Sequence, residues 1–184
     1  MKRSQIRRLI SAALMLVSLA VAIQAWAAPS TTVVAPHSDT LQVVEVYDGD
    51  TIAVKLNGQT EKVRFIGVDT PETKDPRKPV QCFGKEASEW TKRTLQSHTV
   101  RLETDPTQGE RDKYGRMLAY VWRDDGLFVN KSLLEEGYAH EYTYASNPYN
   151  YQTEFLTAQH FAENNNKGLW APETCAGDTK KAAS

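Results

Sequence analysis

The sequence predicts an α+β domain in which five strands close a small barrel and three helices pack around it. Three observations carry that prediction. β-type alternation flanks an Asn57-Gly58 turn signal, a helical pattern is inserted after the third strand, and two further strands precede C-terminal helical patterns. Closing so few strands into a barrel is the economical way to leave few exposed sheet edges.

In chain order, Val43, Val44 and Val46 form the first strand and lead into an Asp48-Gly49 turn. Ile52, Val54 and Leu56 alternate in the second, Asn57-Gly58 reverses the chain, and the return strand runs through Val63, Phe65, Ile66 and Val68. The stretch from Pro71 to Pro79 is too polar and too rich in Pro for regular structure. Gly84 to Gln96 predicts a helix with Ala87, Trp90 and Leu95 inward, Glu86 and Glu89 early, and Lys92 and Arg93 late, as the helix dipole favours. Val100 to Glu103 and Met117 to Trp122 read as strands, and Asp124-Asp125-Gly126 turns into Leu127-Phe128-Val129. Asn130 is placed to cap a short helix ending at Gly137. Tyr151, Phe155, Ala158 and Ala162 give the inward face of the last helix, which stops at Asn164-Asn165-Asn166 and Gly168. The tail after Trp170 reads as loose.

The expected organisation is a cleaved leader at 1–27, a disordered segment at 28–39, one catalytic-sized domain at 40–171 and a tail at 172–184. Lys2, Arg3, Arg7 and Arg8 precede an apolar run from Leu9 to Ile23, and Ala25-Trp26-Ala27 fits a cleavage site. That run is short for a membrane span, which needs ~20 residues. The expectation is therefore export to a periplasm or beyond, with no membrane attachment after cleavage. Four of the 22 Lys and Arg and none of the 23 Asp and Glu fall in the leader, so the remainder carries a net charge of −5. A polyanion would have to be gripped locally, because no general surplus of positive charge is available. Cys82 and Cys175 are the only cysteines. In an oxidising compartment they are expected to pair, the alternative being two distant free thiols. Nothing signals oligomerisation, and a monomer is expected.

Three stretches bear chemistry: Asp48-Gly49-Asp50-Thr51, then Arg64 leading to Asp69-Thr70-Pro71-Glu72, then Asp112-Lys113-Tyr114-Gly115-Arg116. Each has a plainer reading, since Asp-Gly turns chains and Asp and Thr close strands. The first two flank one hairpin, however, and carboxylates that converge at strand ends repel unless a cation lies between them. Hard oxygen ligands, a spare carboxylate and two guanidinium forks suit hydrolysis of a phosphodiester. A helix-loop-helix Ca²⁺ site is excluded, because its glycine and terminal glutamate positions are Ala53 and Gln59. The four histidines lack ligand spacing and no Ser or Cys has an evident base partner, which disfavours zinc or a nucleophilic hydrolase. Lys74, Arg77, Lys78 and Lys113 read first as solvated loop charges. Tyr142 and Tyr144 share a face if extended, either to stack on bases or to cover the barrel. Asn130-Lys131-Ser132 matches a glycosylation acceptor by pattern alone.

The order DGDT, R…VDTPE, DKYGR, with a helix between the second and third, resembles the staphylococcal nuclease (thermonuclease) family from about Leu41 to Trp170. The resemblance implies an oligonucleotide-binding barrel of five strands with three helices. It implies a Ca²⁺ ion held by the Asp50 and Asp69 carboxylates and the Thr70 carbonyl, with Asp48 supporting those ligands. Glu72 would hold the attacking water as general base, and Arg64 and Arg116 would bind the phosphate. Lys113, Tyr114 and Tyr142 match positions that contact the nucleotide. The implied activity is hydrolysis of DNA and RNA with little sequence preference, cleaving the 5′ P–O bond to leave 3′-phosphate ends. The family's archetype is strongly basic and lacks the cysteine pair, and in both respects this chain departs from it. Two noncatalytic readings compete: a barrel that only binds nucleic acid or protein, and a Ca²⁺-stabilised structural protein.

Overall fold

The computed structural model describes residues 40–74, 79–178 and 181–183, so the predicted leader and the loop cations Arg77 and Lys78 lie outside the described residues. The strands are β1 (Leu41–Asp48), β2 (Thr51–Leu56), β3 (Gln59–Phe65), β4 (Val68–Asp69), β5 (Thr99–Glu103), β6 (Met117–Arg123) and β7 (His140–Glu141). The helices are α1 (Gly84–Leu95), α2 (Val129–Glu135) and α3 (Gln152–Asn164). Five strands close the barrel in the order β1-β2-β3-β6-β5, and β4 pairs with β7 in a separate two-stranded sheet. This is the predicted α+β architecture.

The β2–β3 hairpin turns at Asn57 and Gly58, both at positive φ (50° and 81°), the two-residue geometry that matches strand twist. α1 buries Ala87, Trp90 and Leu95, and α3 buries Phe155, Ala158 and Ala162, the faces read from the periodicity. Tyr120 is fully buried, with the rings of Phe128, Tyr149, Tyr151 and Phe155 around it. Its hydroxyl donates to Asp105 at 2.7 Å, which satisfies the one polar group that so central a ring brings inside.

The structure departs from the expected elements in three places. The return strand is not continuous to Val68. It ends at Phe65, and Gly67, at φ +76°, turns the chain out of the barrel wall before β4. A Cβ at Gly67 would lie 2.7 Å from the rings of Tyr149 and Phe155, so the turn needs glycine on two counts. Beyond the Asp124-Asp125-Gly126 turn, a bridge joins Phe128 to Trp122 and α2 starts at Val129.

Asn130 is not a cap, because it lies inside α2 and is fully buried. Its amide accepts from the Val121 N–H at 2.8 Å and donates to the Ile66 carbonyl at 2.9 Å, tying β6 to the end of β3. This burial also removes it as a glycosylation acceptor. The tail is not loose where it is described. Cys175 is buried and bonded to Cys82 with a Cα–Cα distance of 5.9 Å, and the backbone of Lys181 and Ala183 pairs with that of Cys82 and Val80. Its polar composition conceals this, because the tail is held by backbone hydrogen bonds and one covalent bond rather than by apolar side chains.

The two duties of Asn130 can be tested by stability. Asn130→Ala strands a buried N–H and a buried carbonyl, and is expected to cost about 2–4 kcal/mol in denaturant unfolding. A loss near 1 kcal/mol, the usual figure for a helix cap, would contradict the bridging role.

Candidate active site

Asp50 sits at the start of the β2 hairpin arm and is nearly fully buried. Thr51 Oγ1 donates to its Oδ1 at 2.9 Å, while Thr70 donates to Oδ2 from its backbone N–H at 2.9 Å and its hydroxyl at 3.1 Å. Gly49 makes that approach possible, because a Cβ there would lie 2.6 Å from the Thr70 side chain. Thr51 pairs with Arg64 across the β2–β3 ladder, so register alone sets the guanidinium beside Asp50. Arg64 Nη2 lies 3.3 Å from Asp50 Oδ2 and 2.9 Å from Asp69 Oδ1, and Nη1 donates to the Val68 carbonyl at 2.6 Å. The turn at Gly67 is what brings Asp69 back onto Arg64.

Arg116 reaches the same place from β6's leading edge. Its Nη1 donates to Thr51 Oγ1 at 3.3 Å and its Nε to Asp112 Oδ2 at 2.6 Å. Asp112 also accepts the backbone N–H groups of Tyr114 and Arg116, at 2.9 and 3.0 Å. Burial alone would raise the Asp112 carboxyl, but those hydrogen bonds and the Arg116 charge hold it below the usual aspartate range. Asp112 is thus an ionised anchor that orients Arg116.

These groups open onto a pocket of about 420 Å³ lined by Arg64, Asp69, Asp112, Lys113, Tyr114, Arg116, Tyr142 and Tyr144 among others. The Lys113 ammonium and the Arg116 guanidinium lie 5.1 and 5.4 Å from the Tyr114 ring centroid. Tyr114, Tyr142 and Tyr144 are all exposed, so the two distal tyrosines face the pocket and do not cover the barrel. A larger depression of about 540 Å³ along α2 and α3 contains none of the predicted site residues.

Glu72 and Asp48 are not among the residues that line this pocket. Glu72 Oε1 accepts the backbone N–H groups of Thr73 at 2.9 Å and Lys74 at 2.7 Å. Asp48 Oδ1 accepts the Thr73 hydroxyl at 2.7 Å. Burial, with the nearby charges of Glu72 and Asp50, pushes the Asp48 carboxyl up to about 6, against the Thr73 hydroxyl, which pulls it down. Four supporting residues were not singled out from the sequence: Thr51, Thr73, Asp112 and Gln81. Only Asp112 left a local signal, an aspartate two and four residues ahead of the N–H groups it accepts.

Among the described residues, no three His, Cys, Asp or Glu side chains are grouped to hold a metal. The donor chemistry nonetheless fits a hard cation. The Asp50 and Asp69 carboxylates converge on one cationic nitrogen of Arg64, the relation that two ligands of a shared cation require. Thr70, the residue after Asp69, adds a backbone carbonyl.

A titration follows from Asp48. In chelator its carboxyl binds a proton more tightly folded than unfolded, so its contribution to stability is full below the ordinary value of 3.8 and lost as the pH rises through about 6. Asp48→Asn keeps an acceptor for Thr73 without the charge. It is expected to match wild type in acid and to exceed it in urea midpoint at pH 7. An unchanged pH slope would show that Asp48 titrates normally.

The family model described as Staphylococcal nuclease homologue matches residues 62–172. The chain is 47% identical to the thermonuclease of Staphylococcus hyicus over 135 residues, covering 73% of this chain and 78% of that protein. It is 47% identical to the thermonuclease of Staphylococcus intermedius over 128 residues, covering 70% and 74%. It is 42% identical to endonuclease YncB of Bacillus subtilis (strain 168) over 125 residues, covering 67% and 58%.

Proposed function

The chain belongs to the staphylococcal nuclease family and is a nuclease, and from that premise we propose that it is a Ca²⁺-dependent endonuclease of DNA and RNA. The supporting observation is one unbroken run of contacts, Arg116 to Thr51 to Asp50 to Arg64 to Asp69, with steps of 3.3, 2.9, 3.3 and 2.9 Å. It links two guanidinium groups and two carboxylates from four segments, and three of these four, Arg64, Asp69 and Arg116, line one pocket.

Asp50, Asp69 and the Thr70 carbonyl would hold the ion, which when bound polarises the phosphate and offsets its charge. Arg64 and Arg116 grip the remaining phosphate oxygens through paired N–H donors and stabilise the charge that grows in the transition state. Arg116 does so from a fixed position, because Asp112 holds its Nε and Thr51 its Nη1. Glu72 takes the proton of the attacking water. Its carboxylate is already oriented by two backbone N–H groups. Lys113 sits at the pocket to meet phosphate, while the exposed faces of Tyr114 and Tyr142 receive the sugar and base. In-line attack then expels the 5′ oxygen and leaves a 3′-phosphate end. The bond between Cys82 and Cys175 suits an oxidising compartment, which supports export to a periplasm or beyond.

Plasmid and RNA digestion with Ca²⁺, with Mg²⁺ and with chelator tests this reading. Cleavage of both polymers is expected with Ca²⁺ and none in chelator, whereas a binding module or a Ca²⁺-stabilised structural protein would cut under no condition. Glu72→Gln is expected to lower turnover ~10²–10⁴-fold. Arg116→Ala should cost ~10²–10³-fold. Wild-type turnover in Glu72→Gln would remove the general-base assignment.

A further inference from the structure

Glu72 is gripped through its backbone by a single residue nine positions downstream. The Gln81 side chain accepts the Glu72 N–H at 2.7 Å, and the Gln81 N–H donates to the Glu72 carbonyl at 2.9 Å. With Oε1 held by Thr73 and Lys74, both ends of Glu72 are pinned. Gln81 is itself clamped. Its neighbour Cys82 is bonded to Cys175, the Cys82 N–H donates to Lys181 and the Ala183 N–H to Val80, each at 2.8 Å, and Gln81 forms an antiparallel bridge with Ala182. The first residue of α1 presses on the same stretch, since a Cβ at Gly84 would lie 3.0 Å from the Pro71 carbonyl oxygen and 2.8 Å from Thr73 Cγ2.

An earlier part of the C-terminal region reaches β7. The Gly177 carbonyl lies 3.2 Å from His140 Nε2, and His140 is the strand partner of Asp69. One segment therefore backs both a proposed metal ligand and the proposed base.

We propose that Gln81 is a positioning residue for Glu72, held in place by the Cys82–Cys175 bond and the C-terminal segment. This rests on the reading of Glu72 as general base. The physical ground is that misplacing a reacting group by about 1 Å can cost ~10²-fold in rate, while substrate binding, which uses other residues, is spared.

Kinetics on denatured DNA with Ca²⁺ test it, using the full exported chain. Gln81→Met fills the same space without the acceptor, and is expected to lower kcat ~10–10²-fold with KM little changed. Gln81→Glu, which restores an acceptor oxygen, should recover most of that loss. In a Glu72→Gln background, Gln81→Met should add no further loss, because both changes act on one step. Reducing the wild-type disulfide, verified by the appearance of two thiols, should lower kcat in the same sense and leave Glu72→Gln unaffected. Wild-type kcat in Gln81→Met, or an equal fold-loss in both backgrounds, would overturn the proposal while leaving Glu72 as base. If Gln81→Met does not fold, the reduction arm decides, and an unchanged rate on complete reduction overturns the role of the bond. Wild-type turnover in Glu72→Gln alone would instead remove the base reading, and the positioning role with it.

Discussion

The site hangs on the burial of one carboxylate. Asp50 is buried in the turn between β1 and β2, where an unpaired charge costs several kcal/mol, and its partners come from three different segments. Thr51 follows it on β2, Arg64 stands opposite on β3, and Thr70 arrives after the chain has left the barrel at Gly67. Satisfying Asp50 therefore requires the hairpin register, the Gly67 turn and the close approach at Gly49 to be correct together. The same buried charge that constrains the fold holds Arg64 and, through Thr51, Arg116.

This coupling explains how an acidic chain can handle a polyanion. At the site, positive charge rests on a few side chains whose orientation is fixed by carboxylates behind them. Arg64 is backed by Asp50 and Asp69, and Arg116 by Asp112. An arginine so held loses less side-chain freedom on gripping phosphate than a mobile surface lysine does, which strengthens a local contact without raising net charge.

What the sequence made legible was whatever repeats or sits in a short motif. The Asn57-Gly58 turn and the Phe155, Ala158, Ala162 stripe were readable because turn chemistry and helical period are local. β4 and β7 were not, since two-residue strands carry no period. Asn130 misled because an amide ahead of an apolar run looks the same whether it caps the helix or crosses the core. The motif residues were legible as chemistry, but the residues that steady them were not. Thr73 reaches Asp48 across 25 positions and Arg116 reaches Thr51 across 65, and no local pattern encodes either contact.

The lining of the pocket bears on sequence preference. Discrimination between bases requires donors or acceptors aimed at base edges. Two side-chain donors of the lining are already engaged: Gln108 Nε2 donates to the carbonyls of Asn147 and Pro148, at 3.2 and 3.1 Å, and Arg111 Nη1 to Glu61 and the Gly115 carbonyl, both at 2.9 Å. What the pocket offers a base is the faces of Tyr114, Tyr142 and Tyr144, and every base has a face to match. In the proposed reading, fixed arginines would set the phosphate position and the tyrosine faces would take whatever base comes with it. The proposed lack of sequence preference would then follow from structural hydrogen bonds that keep these amide and guanidinium donors away from base edges.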